Sequence, residues 1–391
     1  MDTTALQPVV KSRLSLRIAV GAMFFMSGLC FASWASRIPG IQQALHLSDA
    51  ELGGVLLAIP TGLMCSLPFT GWIITKIGSR KLLVIAICFY GCLLVGLGAA
   101  KNIFQLVGCL WCFGFAGNSA NIAVNTQAVA TERLYENPIM ASFHGIWSMA
   151  GFTGAGIGIF MIGHQVIPFH HFIVILVLVI IGVIFTARQL KDDSDNQKKE
   201  EIVVLSIRER LRTMLPLLKL GVIAFCSMIC EGTMFDWSGV YFHKVIHAEM
   251  GWVGAGYFAF MSTMAIGRFV ADWFAGKYGL KLILQISGAL TATGLLVSVI
   301  FPYLVPAILG FMLVGVGVCS VVPMIFSSAG KTTIMSPGVA LTAVSTIGFS
   351  GFMIGPPLIG FIAGIATLRA SFLLIACMGV SVAVVSSRTK L

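Results

Sequence analysis

Of the fifteen acidic residues in the chain, only Glu231 and Asp236 stand well inside a long apolar run, 214–242; the others fall in polar gaps or at the ends of such runs. At about 1.5 Å per helical residue from a centre near Ile229, Glu231 lies close to the middle of the run and Asp236 about 10 Å toward one end. An ionised carboxylate is costly in an apolar layer, so Glu231 fits an acid that binds a proton or a solute. The competing reading makes it a polar tie to a neighbouring helix. Asp236 is expected nearer the mouth of a pathway, paired with Arg37. Asn118, Asn121 and Asn125 recur at i, i+3 and i+7, so three amides share one helix face. Each amide both donates and accepts, which suits a hydroxylated or zwitterionic solute; hydrogen bonding between helices is the alternative. His144, a turn before Trp147 and Ser148, has the side chain that ordinarily titrates closest to neutrality and is a candidate proton relay or a packed imidazole. Trp34, Trp147, Trp237 and Tyr257 are candidate walls for a ring-shaped solute, with interfacial anchoring the alternative for Trp34 and Trp237.

These residues need a membrane around them. The chain has 391 residues, 58% hydrophobic and 10% charged, with mean hydropathy +0.96, which excludes a water-soluble globule. Apolar windows fall at 16–37, 49–75, 80–100, 103–130, 138–163, 168–189, 214–242, 249–275, 280–300, 303–328, 338–365 and 368–388. The first is too long for a cleaved signal peptide and is expected to stay as a span. The long polar gap splits the windows six and six, giving domains 1–189 and 214–391 joined by a linker at 190–213. The stretch from Ser206 to Leu215 mixes apolar and basic residues, as an interfacial helix would. With both termini on the cytoplasmic side, 21 Lys and Arg lie inside, and Arg37, Lys101, Lys244 and Arg369 are the 4 outside. That asymmetry accounts for the net charge of +10 without a nucleic-acid partner.

The halves repeat at a shift of about 200 residues. Trp72-x3-Lys76-x-Gly78-x-Arg80 realigns with Trp273-x3-Lys277-x-Gly279-x-Lys281, Ser33-Trp34 with Asp236-Trp237, and Gly151-Phe152 with Gly351-Phe352. The expected fold is therefore all-α: a polytopic membrane protein of twelve transmembrane helices in two pseudo-symmetric six-helix bundles, the parallel repeat of one class of transporters.

The segment Gly71 to Lys81, containing Thr75, Lys76, Gly78 and Arg80, resembles the loop signature G-x3-D-[RK]-x-G-x-[RK]-[RK] of the major facilitator superfamily, with Thr75 at the acidic position. The second half keeps an acid at Asp272, with Arg268 one turn before it. Gly355-Pro356-Pro357 is similar to the superfamily's Gly-Pro helix motif, here in the eleventh span. Together with Phe31 to Pro39 and Glu231 to Trp237, these residues resemble a bacterial inner-membrane branch near the fucose permeases. The resemblance implies alternating access by a monomer, driven by an ion gradient, usually protons, with a small sugar-like solute. The carboxylates that fucose permeases carry in their first and fourth spans are missing here. Arg37, Lys76, Gly78, Arg80, Arg268 and Asp272 take conformational or gating roles in this reading, Arg268 and Asp272 as an i, i+4 pair at the inner end of the eighth span.

Proton-antiport efflux of drugs or metabolites fits the same residues. Among other classes, Gly348-Phe349-Ser350-Gly351 matches the GxSG of an intramembrane serine protease, with His144 as a conceivable base. Ala329 to Thr332 lacks the first glycine of a phosphate loop. Cys109 and Cys112 form a CxxC inside an apolar run, outside the context of a redox motif. His164, His170 and His171 do not make a convincing metal set, and neither a metal nor a cofactor is expected.

Overall fold

The structure is a computed structural model that describes residues 12–135, 139–191, 207–330 and 337–389. Its helices are α1 (Arg13–Ala44), α2 (Asp49–Leu56), α3 (Ala58–Ala99), α4 (Ile103–Glu132), α5 (Met140–Gly163), α6 (Pro168–Thr186), α7 (Ile207–Lys244), α8 (Ala255–Tyr278), α9 (Leu280–Ile300), α10 (Leu304–Val318), α11 (Val321–Gly330), α12 (Pro337–Ile365) and α13 (Leu368–Ser387). The start signals are local. Ser12, Asn102 and Thr367 accept backbone N–H bonds from the third residue on, and Ser48 with Glu51 forms a reciprocal capping box. Without water, a crossing segment must satisfy its own backbone, and the helix is the way an isolated span can do so.

Eleven of the described stretches are long and apolar enough to cross a membrane. One of them, Asp49–Ala99, has 51 residues and turns at Gly78, so it holds two crossings and the total is twelve. The second crossing starts with a short separate helix, α2, and the tenth is divided into α10 and α11 around Cys319 and Ser320. The expected interfacial helix is not separate. Its described residues are the start of α7, which runs unbroken for 38 residues, about 57 Å against the roughly 30 Å of a hydrocarbon core. Most of the expected linker, 192–206, lies outside the described residues, as does Lys331 of the phosphate-loop-like segment.

The repeat is visible in the backbone. Gly78 has φ 81° and ψ 158°, and its counterpart Gly279 has φ 84° and ψ 147°; they are the positive-φ glycines of the described chain. Each reverses the chain between two crossings, in a region that a Cβ makes costly. His46 and His247, just after α1 and α7, likewise share φ of 52° and 54°. Gly78→Ala and Gly279→Ala are each expected to cost about 1–3 kcal/mol of backbone strain. The measurement is the melting temperature of the detergent-solubilised protein, and an unchanged value for either would remove the strain argument.

Helices α1 to α6 pack together through α3 on α4, α1 on α5 and α3 on α6; α7 to α13 do so through α7 on α12, α9 on α13 and α10 on both α8 and α9. The halves meet in three places: α1 on α7, α5 on α8, and α2 on α12. The last two contacts exchange under the repeat, so the interface follows a pseudo-twofold axis. Close approach at α2 and α12 depends on two glycines. A Cβ at Gly53 would stand 2.7 Å from the Pro356 carbonyl oxygen, and one at Gly360 would stand 2.5 Å from the Asp49 carbonyl oxygen. This contact closes the end of the molecule that carries the α1–α2 loop. Two further ties join the halves at this end, Lys244 Nζ of α7 donating to Asp49 Oδ1 at 2.6 Å and a short contact between Gln43 and His243, while Gln42 Nε2 holds the same Asp49 oxygen at 2.8 Å from within the first half.

Candidate functional site

Three helices converge on one guanidinium. Arg268 of α8 donates from Nη2 to Glu231 Oε1 of α7 at 3.0 Å and from Nη1 to Ser148 Oγ of α5 at 2.6 Å. Its Cζ lies 5.9 Å from the Trp147 ring centre, and its Nε is buried without a partner. The ion pair is secluded, with the Arg268 and Glu231 side chains 15% and 8% exposed. Ser148 belongs to the first half and Glu231 to the second, so the arginine is a polar bolt across the interface. A removed partner would leave a charge stranded in a poorly solvated place. The imidazole of His144, one turn from Ser148, sits edge-on to Phe24 at 5.5 Å and within coulombic reach of Arg268.

The expected i, i+4 partner of Arg268, Asp272, has its side chain outside the described residues; among those described, the acid on Arg268 is Glu231. The partner lies 37 positions away on another helix, a relation that spacing does not encode.

Beyond the charge pair is an aromatic cluster. The Phe235 ring meets Phe31 at 5.2 Å, Phe260 at 5.7 Å, Trp147 and Tyr257 at 6.3 Å, and Phe352 in a stacked pair at 6.4 Å. These rings come from α1, α5, α7, α8 and α12, the helices at which the halves touch. Trp147 and Tyr257 were expected here; Phe31, Phe235 and Phe352 were not singled out as walls. Their sequence signals were membership of the Phe31–Pro39 and Glu231–Trp237 stretches and, for Phe352, the Gly-Phe repeat.

Trp34 and Trp237 are 1% and 0% exposed, which overturns interfacial anchoring. Trp34 packs against Phe113 at 6.5 Å, and both indole Nε1 atoms are buried without a partner. The amide row is divided. Asn118 donates to Leu63 O at 3.3 Å and Ser66 Oγ at 2.7 Å, tying α4 to α3, whereas Asn125 donates to Asn121 O and Oδ1 at 2.8 and 3.3 Å, and Asn121 remains exposed. A shared helix face does not guarantee a shared partner.

Arg37 and Asp236 do not pair. Arg37 Nε donates to His171 Nδ1 of α6 at 3.0 Å, while half-buried Asp236 has no hydrogen bond or ion pair among the described residues. The cause is direction: Arg37 turns into its own bundle. Of the expected gating residues, Lys76 is exposed, Gly78 turns the backbone, and Arg80 Nε donates to the Ala187 carbonyl at the end of α6 at 2.9 Å, a bond within the first half. Thr75 Oγ1 donates to its own helix at Trp72 O, 2.7 Å away. The Asp49–Lys244 pair joins residues 195 positions apart and carries no local signal. Ser350 Oγ donates to Ile347 O of its own helix at 2.6 Å, with no histidine bonded to it among the described residues, so the serine-protease arrangement is not formed.

Known proteins agree with this architecture. A transporter of the same superfamily from Yersinia pestis, itself uncharacterized, is 32% identical over 384 residues, covering 97% of this chain and 96% of its own. Membrane protein MosC of Rhizobium meliloti is 33% identical over 368 residues, covering 94% and 88%. Among solved structures, the nucleoside transporter NupG superposes with a TM-score of 0.73 at 13% identity, covering 95% of this chain and 98% of its own. A bacterial homologue of the human lysosomal transporter Spinster, inward-facing and occupied, gives 0.71 at 14%, covering 95% and 96%. Residues 20–336, which reach across both halves, match the Major Facilitator Superfamily profile, and the chain belongs to that superfamily of membrane transporters.

Proposed function

We propose that this protein is a proton-coupled secondary transporter that moves a small polar, sugar-like solute across the bacterial inner membrane by alternating access. The observation that carries the reading is the Arg268 bolt, one cation bonded at once to a carboxylate of its own half and a hydroxyl of the other. A proton on Glu231 removes the charge that holds Arg268. The guanidinium is then free to exchange partners, and the Ser148 bond across the halves weakens. Proton binding is thereby linked to the rocking of domains 1–189 and 214–391 about the linker at 190–213.

The closed α2–α12 contact is on the outer side when the Lys and Arg asymmetry orients the chain, so this conformation opens toward the cytoplasm, with both termini there. The working unit is one chain. Trp147, Tyr257, Asn121 and Asn125 offer stacking surface and amides to a solute on that path, and His144 is placed to pass protons between Glu231 and the open end. Import by symport and export by antiport use the same parts and differ in the sign of proton flow.

The test is internal pH in proteoliposomes holding the purified protein, with imposed gradients of sugars, amino acids or amphiphilic cations. One class is expected to move protons together with solute. Acidification of the lumen on solute entry means symport and alkalinisation means antiport. Solute flux of every class without any proton signal would overturn the coupling.

A further inference from the structure

Asp236 is a carboxyl group that the charge pair does not use. It lies five residues beyond Glu231 on α7, about 7.5 Å along the axis. It is half-buried and has no partner among the described residues, although a guanidinium, Arg37, stands on the adjoining α1 and is turned toward His171. Its charge reaches the hydroxyl of Tyr257 on α8, which is itself buried, 2% exposed, and unpartnered. The Tyr257 ring faces Phe235 edge-on at 6.3 Å, so the carboxyl adjoins the aromatic cluster. The unpaired indole N–H of Trp237 is the next residue along the helix.

A carboxyl group held without a cation beside electron-rich ring faces is half of a recognition site for positive charge, since both elements attract the same kind of group. The protein's own cations are spent elsewhere: Arg268 is neutralised by Glu231, and Arg37 turns away. The Tyr257 hydroxyl is left to bond an oxygen atom on the same molecule.

We infer that Asp236 is the counter-ion for a protonated amine on the transported solute, with the ammonium seated between the carboxylate and the Tyr257–Phe235 rings. This rests on the transporter reading and narrows the solute from any polar molecule to an amine-bearing one.

The test is equilibrium binding to the purified full chain in detergent, read by intrinsic tryptophan fluorescence, using matched probes: glucosamine against glucose, and ethanolamine against ethylene glycol. At least one amine is expected to bind ten or more times more tightly than its neutral partner. Asp236→Asn is expected to erase that preference, and Asp236→Glu to keep part of it. Equal binding of the partners, a preference that survives in Asp236→Asn, or no binding of either amine overturns the inference. Should Asp236→Asn fail to fold, the wild-type comparison and Asp236→Glu still decide. The assay contains no gradient, so it separates the two readings. Proton-linked uptake of neutral solutes alone sinks the counter-ion role and keeps the transporter. An amine preference without proton-linked flux does the reverse.

Discussion

Glu231→Gln and Arg268→Gln are each expected to reduce gradient-driven accumulation by roughly a hundredfold, about 2.7 kcal/mol of lost coupling, and to lower the stability of the protein as well. The stability loss comes from what each change leaves behind. In Glu231→Gln the Arg268 guanidinium keeps the Ser148 hydroxyl and an amide oxygen but loses the Glu231 charge; without Arg268 the carboxylate loses its cation. Breaking one side of a buried pair costs about 3–5 kcal/mol, whereas replacing both sides is often close to neutral. The double variant is therefore expected to recover most of the melting temperature in detergent while remaining unable to accumulate solute. That split separates a coupling role from a merely structural one. A Glu231→Gln protein that still concentrates solute against its gradient would assign Glu231 to helix packing, and attention would pass to Asp236 and His144.

Gly360→Leu is expected to force open the α2–α12 closure. A side chain there meets the Asp49 carbonyl oxygen and the Gly53 backbone, neither of which can rotate away. Overpacking of this kind costs about 1–3 kcal/mol. Confined to one of two conformations, it shifts their ratio by roughly 5- to 150-fold. Transport should fall in proportion, because the cycle must pass through the disfavoured state. The check is the distance between spin labels at His46→Cys and Ala366→Cys in a cysteine-free background, which lie on opposite halves at the closed end. A longer distance in the Gly360→Leu protein supports the gate. An unchanged distance with intact transport means that the contact is incidental to the cycle.

Much of the architecture was legible in advance because the membrane allows so few solutions. Apolar run length and the repeat around Gly78 and Gly279 are properties of position along the chain, and each maps onto one crossing or one turn. Rise per residue gives Glu231 a place along α7 in the same way. The isolated carboxylates stood out because an apolar layer tolerates few of them.

What the linear chain does not hold is partnership. The local rule offers Arg268 only the acid four residues ahead; the fold carries its guanidinium to Glu231 on α7 and Ser148 in the other half, which no spacing announces. Asn118, Asn121 and Asn125 share a face, yet only the first is committed to α3, because that face spans both a packed seam and an open side. Arg37 and Asp236 were expected at similar depth, but depth says nothing about the angle at which each helix presents its side chain, and Arg37 finds His171. Hydrophobicity determined the number of crossings and their places along the chain, since each depends on a segment and its solvent alone. Which helices touch, and so which charges are paired and which carboxyl is left for a ligand, was decided by tertiary packing, because those contacts depend on the rotation and tilt of one helix against another.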